Sequence, residues 1–181
     1  MKRVFIGGSR RISRVPPEVR SRLDEMIRRG LPVVVGDANG ADKAIQAYFA
    51  GQQYDHVTVF CTGSHCRNNV GGWPVRTVTA PHAARDFGYF TAKDAAMADE
   101  ADVALMLWDG QSAGTMVNVA RLVARGKPTV VYVATMKAFQ TVKTLDELTG
   151  LLSTADPEVR TKVEHYIHEH VTELAQLSTS R

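Results

Sequence analysis

A chain of 181 residues, 44% of them hydrophobic, can bury a sizeable core, and its length predicts one domain with a C-terminal appendage. The formal charge of +3 and pI near 9.0 are only mildly basic. Lysine and arginine are scattered apart from Arg10-Arg11 and Arg28-Arg29, so no basic stripe marks a nucleic-acid groove, and a nucleic-acid partner is not expected. Cys61 and Cys66 are too few for a disulfide scaffold. Met1-Lys2-Arg3 runs into too short an apolar stretch for a secretory leader. No run approaches the ~18 apolar residues of a membrane span, and a reducing cytoplasm is the expected setting.

Taken in chain order, Arg3 to Ile6 is a short apolar strand ending in the loop Gly7-Gly8-Ser9-Arg10. Pro16-Pro17-Glu18 opens a helix with Val19, Leu23, Met26 and Ile27 on one face, and Gly30 ends it. Leu31 to Val35 is a second strand, closed by Gly36-Asp37-Ala38-Asn39-Gly40, and Ala41 to Ala50 is a helix. Val57 to Cys61 is a third strand, followed by a polar loop from Thr62 to Gly72 and a short strand Val75 to Val78. Tyr89 to Asp99 is a helix, Asp102 to Leu107 a strand, Thr115 to Arg125 a helix, and Thr129 to Val133 the last strand expected. Leu145 to Leu152 reads as a short helix. Asp156-Pro157-Glu158 starts another, with Val159, Val163, Tyr166, Ile167, Val171 and Leu174 roughly on one face.

Apolar strands alternating with helices predict an α/β domain, a doubly wound parallel sheet covered on both faces. The division expected is a Rossmann-like domain over 1–152 and a helical appendage over 153–181. Ligands of such sheets sit beyond the carboxyl ends of the strands. Three Gly-rich segments end there: Gly7 to Arg10, Gly36 to Asp42, and Asp109-Gly110-Gln111-Ser112-Ala113-Gly114-Thr115. The third holds an anion best, because glycine lets the backbone approach a phosphate and the first helical N–H groups point at it. None has dinucleotide-fingerprint or P-loop spacing.

The candidate ligand contacts follow from these segments. Gly8, Ser9, Ser112, Gly114 and Thr115 are expected to hold phosphate, with Arg10 at the mouth. Asp109 or Asp37 is expected to meet a ribose. Arg67, Asn68 and Asn69, polar groups beside Gly71-Gly72, are expected to read a base or phosphate, with Trp73 as a stacking ring or a core residue. Asn118, one turn into its helix, is expected to face the same cleft. No metal is expected. His165, His168 and His170 lack a third ligand in register, and the two cysteines lack the partner pair of a zinc site. No cofactor is expected.

With Gly7-Gly8-Ser9-Arg10, Val35-Gly36-Asp37-Ala38-Asn39-Gly40-Ala41-Asp42, Gly114-Thr115 and Gly126-Lys127-Pro128, the chain resembles the Rossmann-like SLOG superfamily from Arg3 to Val133. That superfamily includes the LOG phosphoribohydrolases, the DNA-processing protein DprA and YpsA-type nucleotide-binding proteins; the second motif is most similar to the YpsA-like branch. LOG enzymes carry P-G-G-x-G-T-x-x-E and R-K-x-x-M. Here Asn118 stands at the glutamate, and Lys93-Asp94 at the arginine and lysine. Asparagine cannot act as a carboxylate, and lysine lacks the arginine fork. The resemblance therefore implies a protein that binds a nucleotide or phosphorylated ribosyl compound as a sensor or carrier. The alternative is an N-glycoside hydrolase or transferase using Asp109 or Asp37. Helix pairing in related proteins, with the apolar residues Met116, Val119, Ala120, Leu122 and Val123, implies a homodimer or a dimer of dimers.

Overall fold

The computed structural model describes residues 1–80 and 87–170. The chain runs β1 (Val4–Gly8), α1 (Pro17–Arg28), β2 (Val33–Gly36), α2 (Ala41–Gly51), β3 (Val57–Thr62), β4 (Val75–Val78), α3 (Phe87–Glu100), β5 (Val103–Trp108), α4 (Ala113–Ala124), β6 (Thr129–Val133), β7 (Ala138–Val142), α5 (Leu145–Leu152) and α6 (Pro157–Glu169). The strands form one sheet in the order β4-β3-β2-β1-β5-β6-β7. All neighbours are parallel except β6 and β7. This is the doubly wound, Rossmann-like α/β arrangement expected. The winding reverses between β1 and β5, and the crevice outside that reversal is where such sheets bind ligands.

Strands β1, β2, β5 and β6 are almost wholly apolar because both faces are covered. Val4, Ile6, Val33, Val35, Leu105 and Leu107 pack with Val19 and Leu23 of α1 and Ile45 and Phe49 of α2. Phe5, Val34, Phe60, Met106 and Trp108 face the other way, against Met97 of α3 and Met116, Val119 and Leu122 of α4. The period-2 alternation assigns each residue its face.

Four expectations change here. First, β1 runs on through Gly7 and Gly8, whose partners are Met106 and Leu107 of β5. A Cβ on Gly8 would collide with the Leu107 carbonyl, so this glycine serves close strand approach as well as the turn. Second, β7 is a strand the sequence did not announce. It is an edge, with Val142 its one buried residue. Its polar Gln140 and Thr141 hide the pattern. Third, Cys61 and Cys66 are joined in a disulfide.

The fourth change concerns the dimer seam. Every α4 residue from Thr115 to Ala124 is buried within this chain. Helix α6 lies on α4 and lends Val159 and Val163 to the same core cluster, while Arg121 Nε donates to Tyr166 Oη at 3.0 Å. The apolar surplus of α4, one of the grounds for expecting a dimer, is thus covered by the chain's own C-terminal part. Val171 and Leu174 lie outside the described residues. Among the described residues, no helix is long and apolar enough to cross a membrane.

Candidate functional site

A cleft of about 410 Å³ opens at the carboxyl ends of β1 and β5. One wall is the turn after β1. Ser9 is buried (1% exposed). Its N–H donates to the Leu107 carbonyl at 2.9 Å, and its own carbonyl accepts from Ala41 N–H at 3.1 Å. Its hydroxyl accepts from Arg11 N–H at 3.1 Å. Ser9 therefore ties β1 to β5 and to the first turn of α2 while lining the cleft. Arg10 and Arg11, both exposed, follow at the mouth.

The facing wall is the start of α4. Asp109 Oδ1 accepts from the N–H groups of Gln111 (3.0 Å) and Ser112 (2.8 Å), an Asx-type turn that aims the chain into the helix. Ser112 then caps α4, its hydroxyl accepting from Thr115 N–H at 3.2 Å and from Thr115 Oγ1 at 2.8 Å. A Cβ at Gly114 would meet nothing within 4 Å, so the space over this helix start is open. Arg11 bridges the two walls. It bonds Gln111 Oε1 and comes to 4.0 Å from Asp109 Oδ2.

The floor is charged. Lys93, 4% exposed, holds its ammonium 3.3 Å from Asp37, 3.6 Å from Asp42 and 3.6 Å from Asp94. Burial pulls the Lys93 pKa down, but Asp94, Asp42 and Asp37 outweigh it and raise it overall. Asp42 moves the other way for a carboxylate in a salt bridge: its burial raises its pKa, and Lys93 offsets this only in part. A Cβ on Gly36 would strike the carboxylate of Asp42 and the ammonium of Lys93, so any larger residue where β2 passes this cluster would displace those charged ends. Asn118 Nδ2 donates to Asp94 at 3.1 Å, and its Oδ1 accepts from Arg121 Nη1 at 3.0 Å.

Of the residues expected from sequence, the cleft brings together Gly8, Ser9, Arg10, Asp109, Ser112, Gly114, Thr115 and Asn118. Asp37, Arg67, Asn68 and Asn69 lie outside its lining. Asp37 is 1% exposed and takes Arg67 Nη2 at 2.8 Å, Arg67 Nε at 3.3 Å and Arg67 N–H at 3.0 Å. Burial pushes the Asp37 carboxyl up, yet the Arg67 bonds and Lys93 together hold it below the ordinary range. Asn68 donates to the Asp37 carbonyl (2.8 Å) and to Asn39 Oδ1 (3.0 Å). Asn69 bonds the backbone of Trp73 in both directions, and Trp73 is a core residue whose Nε1 donates to the Tyr54 carbonyl. These amides brace one loop against another.

The cleft adds Arg11, Asp42, Lys93, Asp94 and Gln111. Lys93 and Asp94 were visible in the sequence as the pair standing at the LOG arginine and lysine. Nothing distinguished Arg11 from Arg10. Ligand atoms of Asp37, Cys61 and Cys66 lie within 4.8 Å of one another, but the two sulfurs are bonded together and Asp37 is held by Arg67.

No family model matches the chain, and no curated protein matches it. A solved structure does: DNA processing protein A from Helicobacter pylori, described for its unique single-stranded DNA binding mode, at TM-score 0.54 and 16% identity, over 93% of this chain and 81% of that one. The two share a fold. The likeness bears out the Rossmann-like arrangement expected from the sequence. It also corrects the expectation set against nucleic acid. A protein of this architecture binds single-stranded DNA, so the scattered arginines here are no ground for excluding such a partner.

Proposed function

We propose that the chain binds a nucleotide or related phosphorylated ribosyl compound in the β1–β5 cleft, as a sensor or carrier. The carrying observation is the open space over Gly114 at the start of a capped helix, facing Ser9 and flanked by Arg10 and Arg11. A phosphate there meets the positive end of the α4 dipole and two guanidinium groups. Sugar hydroxyls, which are donors, then fall toward Asp94 and the remaining oxygen of Asp109. Asp37 takes no part in this reading, since its carboxylate is spent on Arg67 and Lys93. Placement in the YpsA-like branch rests on the Val35 to Asp42 motif.

The absence of a carboxylate at Asn118 favours binding over N-glycoside cleavage. Asp94 on the floor keeps the hydrolase alternative concrete, because it offers one carboxylate near a bound sugar. A second reading is the phosphate backbone of single-stranded DNA at the same mouth, favoured by exposed Arg10, Arg11 and Arg14 on one loop and by the shared fold. Calorimetric titration of the full chain with AMP and with a short oligodeoxynucleotide separates the two. Saturable AMP binding supports the first. Oligonucleotide binding with a steep salt slope and no AMP binding supports the second. Neither ligand binding would reject the cleft as a phosphate site.

A further inference from the structure

The loop between β3 and β4 carries a covalent tie that the cleft does not explain. Cys61 lies in β3 and is 1% exposed; Cys66 is half-buried. Their Cα atoms are 5.3 Å apart and their sulfurs are joined. A bond closing so short a loop removes little chain entropy, and a domain with two large core clusters has no need of a disulfide to fold. Its placement is more informative. Cys66 directly precedes Arg67, whose backbone N–H and guanidinium both donate to Asp37. Two residues of the intervening loop, Ser64 and His65, are exposed, and Gly63 N–H reaches the Val78 carbonyl only at 3.4 Å. The disulfide is thus a covalent tie on the backbone that leads into Arg67, beside the Gly63 hydrogen bond and the Ser64–His65 contact.

We propose that Cys61 and Cys66 form a reversible thiol–disulfide site whose state sets the grip of Arg67 on Asp37. The reactants are low-molecular-weight thiols and their disulfides. A thiolate attacks Sγ of Cys66, the less buried of the two residues, forming a mixed disulfide; the Cys61–Cys66 bond breaks and Cys61 leaves as the thiolate. A second thiolate attacks the small-molecule sulfur of that mixed disulfide, and Cys66 leaves in turn. Two small thiolates have become one disulfide, two electrons have entered the protein, and two protons from water complete the thiols. The freed sulfurs no longer fit at bonding distance, so residues 63–66 relax and carry the Arg67 N–H away from Asp37. Because Asp37 also meets Lys93, this change reaches the floor of the cleft. That last consequence rests on the proposed function; the site itself does not.

The test reads the loop and not the ligand. Full-length protein is equilibrated across glutathione and glutathione-disulfide ratios, alkylated with N-ethylmaleimide and weighed. Hydrogen–deuterium exchange is followed for the segment 62–70 in both states. The expected result is two thiols appearing together, with the amides of Arg67 and Val70 exchanging about tenfold faster once reduced, as for loss of a local tie. The Cys61→Ser/Cys66→Ser protein should exchange at the fast rate in every buffer. Equal exchange in the two states overturns the proposal. So does a disulfide that resists native reduction, or a pair of thiols that never joins. None of these outcomes depends on whether AMP binds.

Discussion

Lys93 holds its ammonium 3.3 Å from the carboxylate of Asp37, and both side chains are almost free of water. The same ammonium serves Asp42 and Asp94. One buried cation thus serves Asp42 and Asp94 at the base of the cleft and Asp37 beside it, which Arg67 also holds. Replacing it with an apolar side chain of similar length leaves those acids facing one another. Lys93→Met should lose about 3–5 kcal/mol of stability, the usual cost of removing one partner from a buried pair. Urea unfolding measures this directly, and a loss below ~1 kcal/mol would show that the cluster is solvated and that Lys93 is not its counter-ion.

The Arg67 contact has a pH signature. Arg67 and Lys93 hold the folded Asp37 carboxyl below its ordinary range. A carboxylate depressed in this way stabilises the fold fully above its unfolded pKa of about 3.9, and the contribution is lost as pH falls through the lower folded value. Arg67→Ala brings the folded pKa back up. The variant should melt lower than the parent at pH 6, with the gap narrowing as pH falls through the depressed folded value and Asp37 takes up its proton. Thermal melts across that range check it; a gap that stays constant with pH would assign Arg67 a packing role instead.

The open space over α4 makes a steric prediction. A Cβ at position 114 meets no atom within 4 Å beyond its chain neighbours and its own helix backbone, so Gly114→Val should fold. It would fill the volume proposed for phosphate and weaken AMP binding at least about tenfold, the equivalent of ~1.4 kcal/mol. Calorimetry on folded variant and parent decides this. Undiminished affinity places the ligand elsewhere.

Catalysis is tested by product. With Asn118 where LOG enzymes carry glutamate, the protein should release no adenine from AMP at an enzyme-like rate, as followed by chromatography. Robust release that Asp94→Asn abolishes would replace the sensor or carrier reading with N-glycoside cleavage.

The C-terminal helix also has a measurable share in the domain. Val163 is 0% exposed and belongs to the core cluster that includes α4. Val163→Ala should cost about 1–3 kcal/mol from lost burial and the cavity left behind, which for a chain of this size lowers Tm by roughly 2–4 °C per kcal/mol. An unchanged melting curve would mean that α6 can leave its seat without loosening the core.

The alternation of strands and helices was legible because the inner strands β1, β2, β5 and β6 are almost wholly apolar and the helices between them carry apolar stripes. The element limits at Val75–Val78, Thr129–Val133 and Leu145–Leu152 match the structure without adjustment. β7 was not legible, since an edge strand needs only one buried side chain and its alternation is too weak to see. The cleft residues on Gly-rich strand ends were found from sequence because strand order sends those ends to one crevice. Asp37 and Asn68 were placed in it by the same logic, and their polarity was read as unsatisfied.

Sequence alone determined the doubly wound class, the three glycine-bearing strand ends and the unusual Lys93 and Asn118, because these are properties of local pattern and residue type. The tertiary structure decided which polar groups had partners. Asp37 meets Arg67 thirty positions away, and Gly36 yields its side-chain volume to Asp42 and Lys93. A buried charge is answered by whichever opposite charge the fold brings within a few ångströms. That distance is set by packing between segments remote in the chain, and no periodicity within one segment records it.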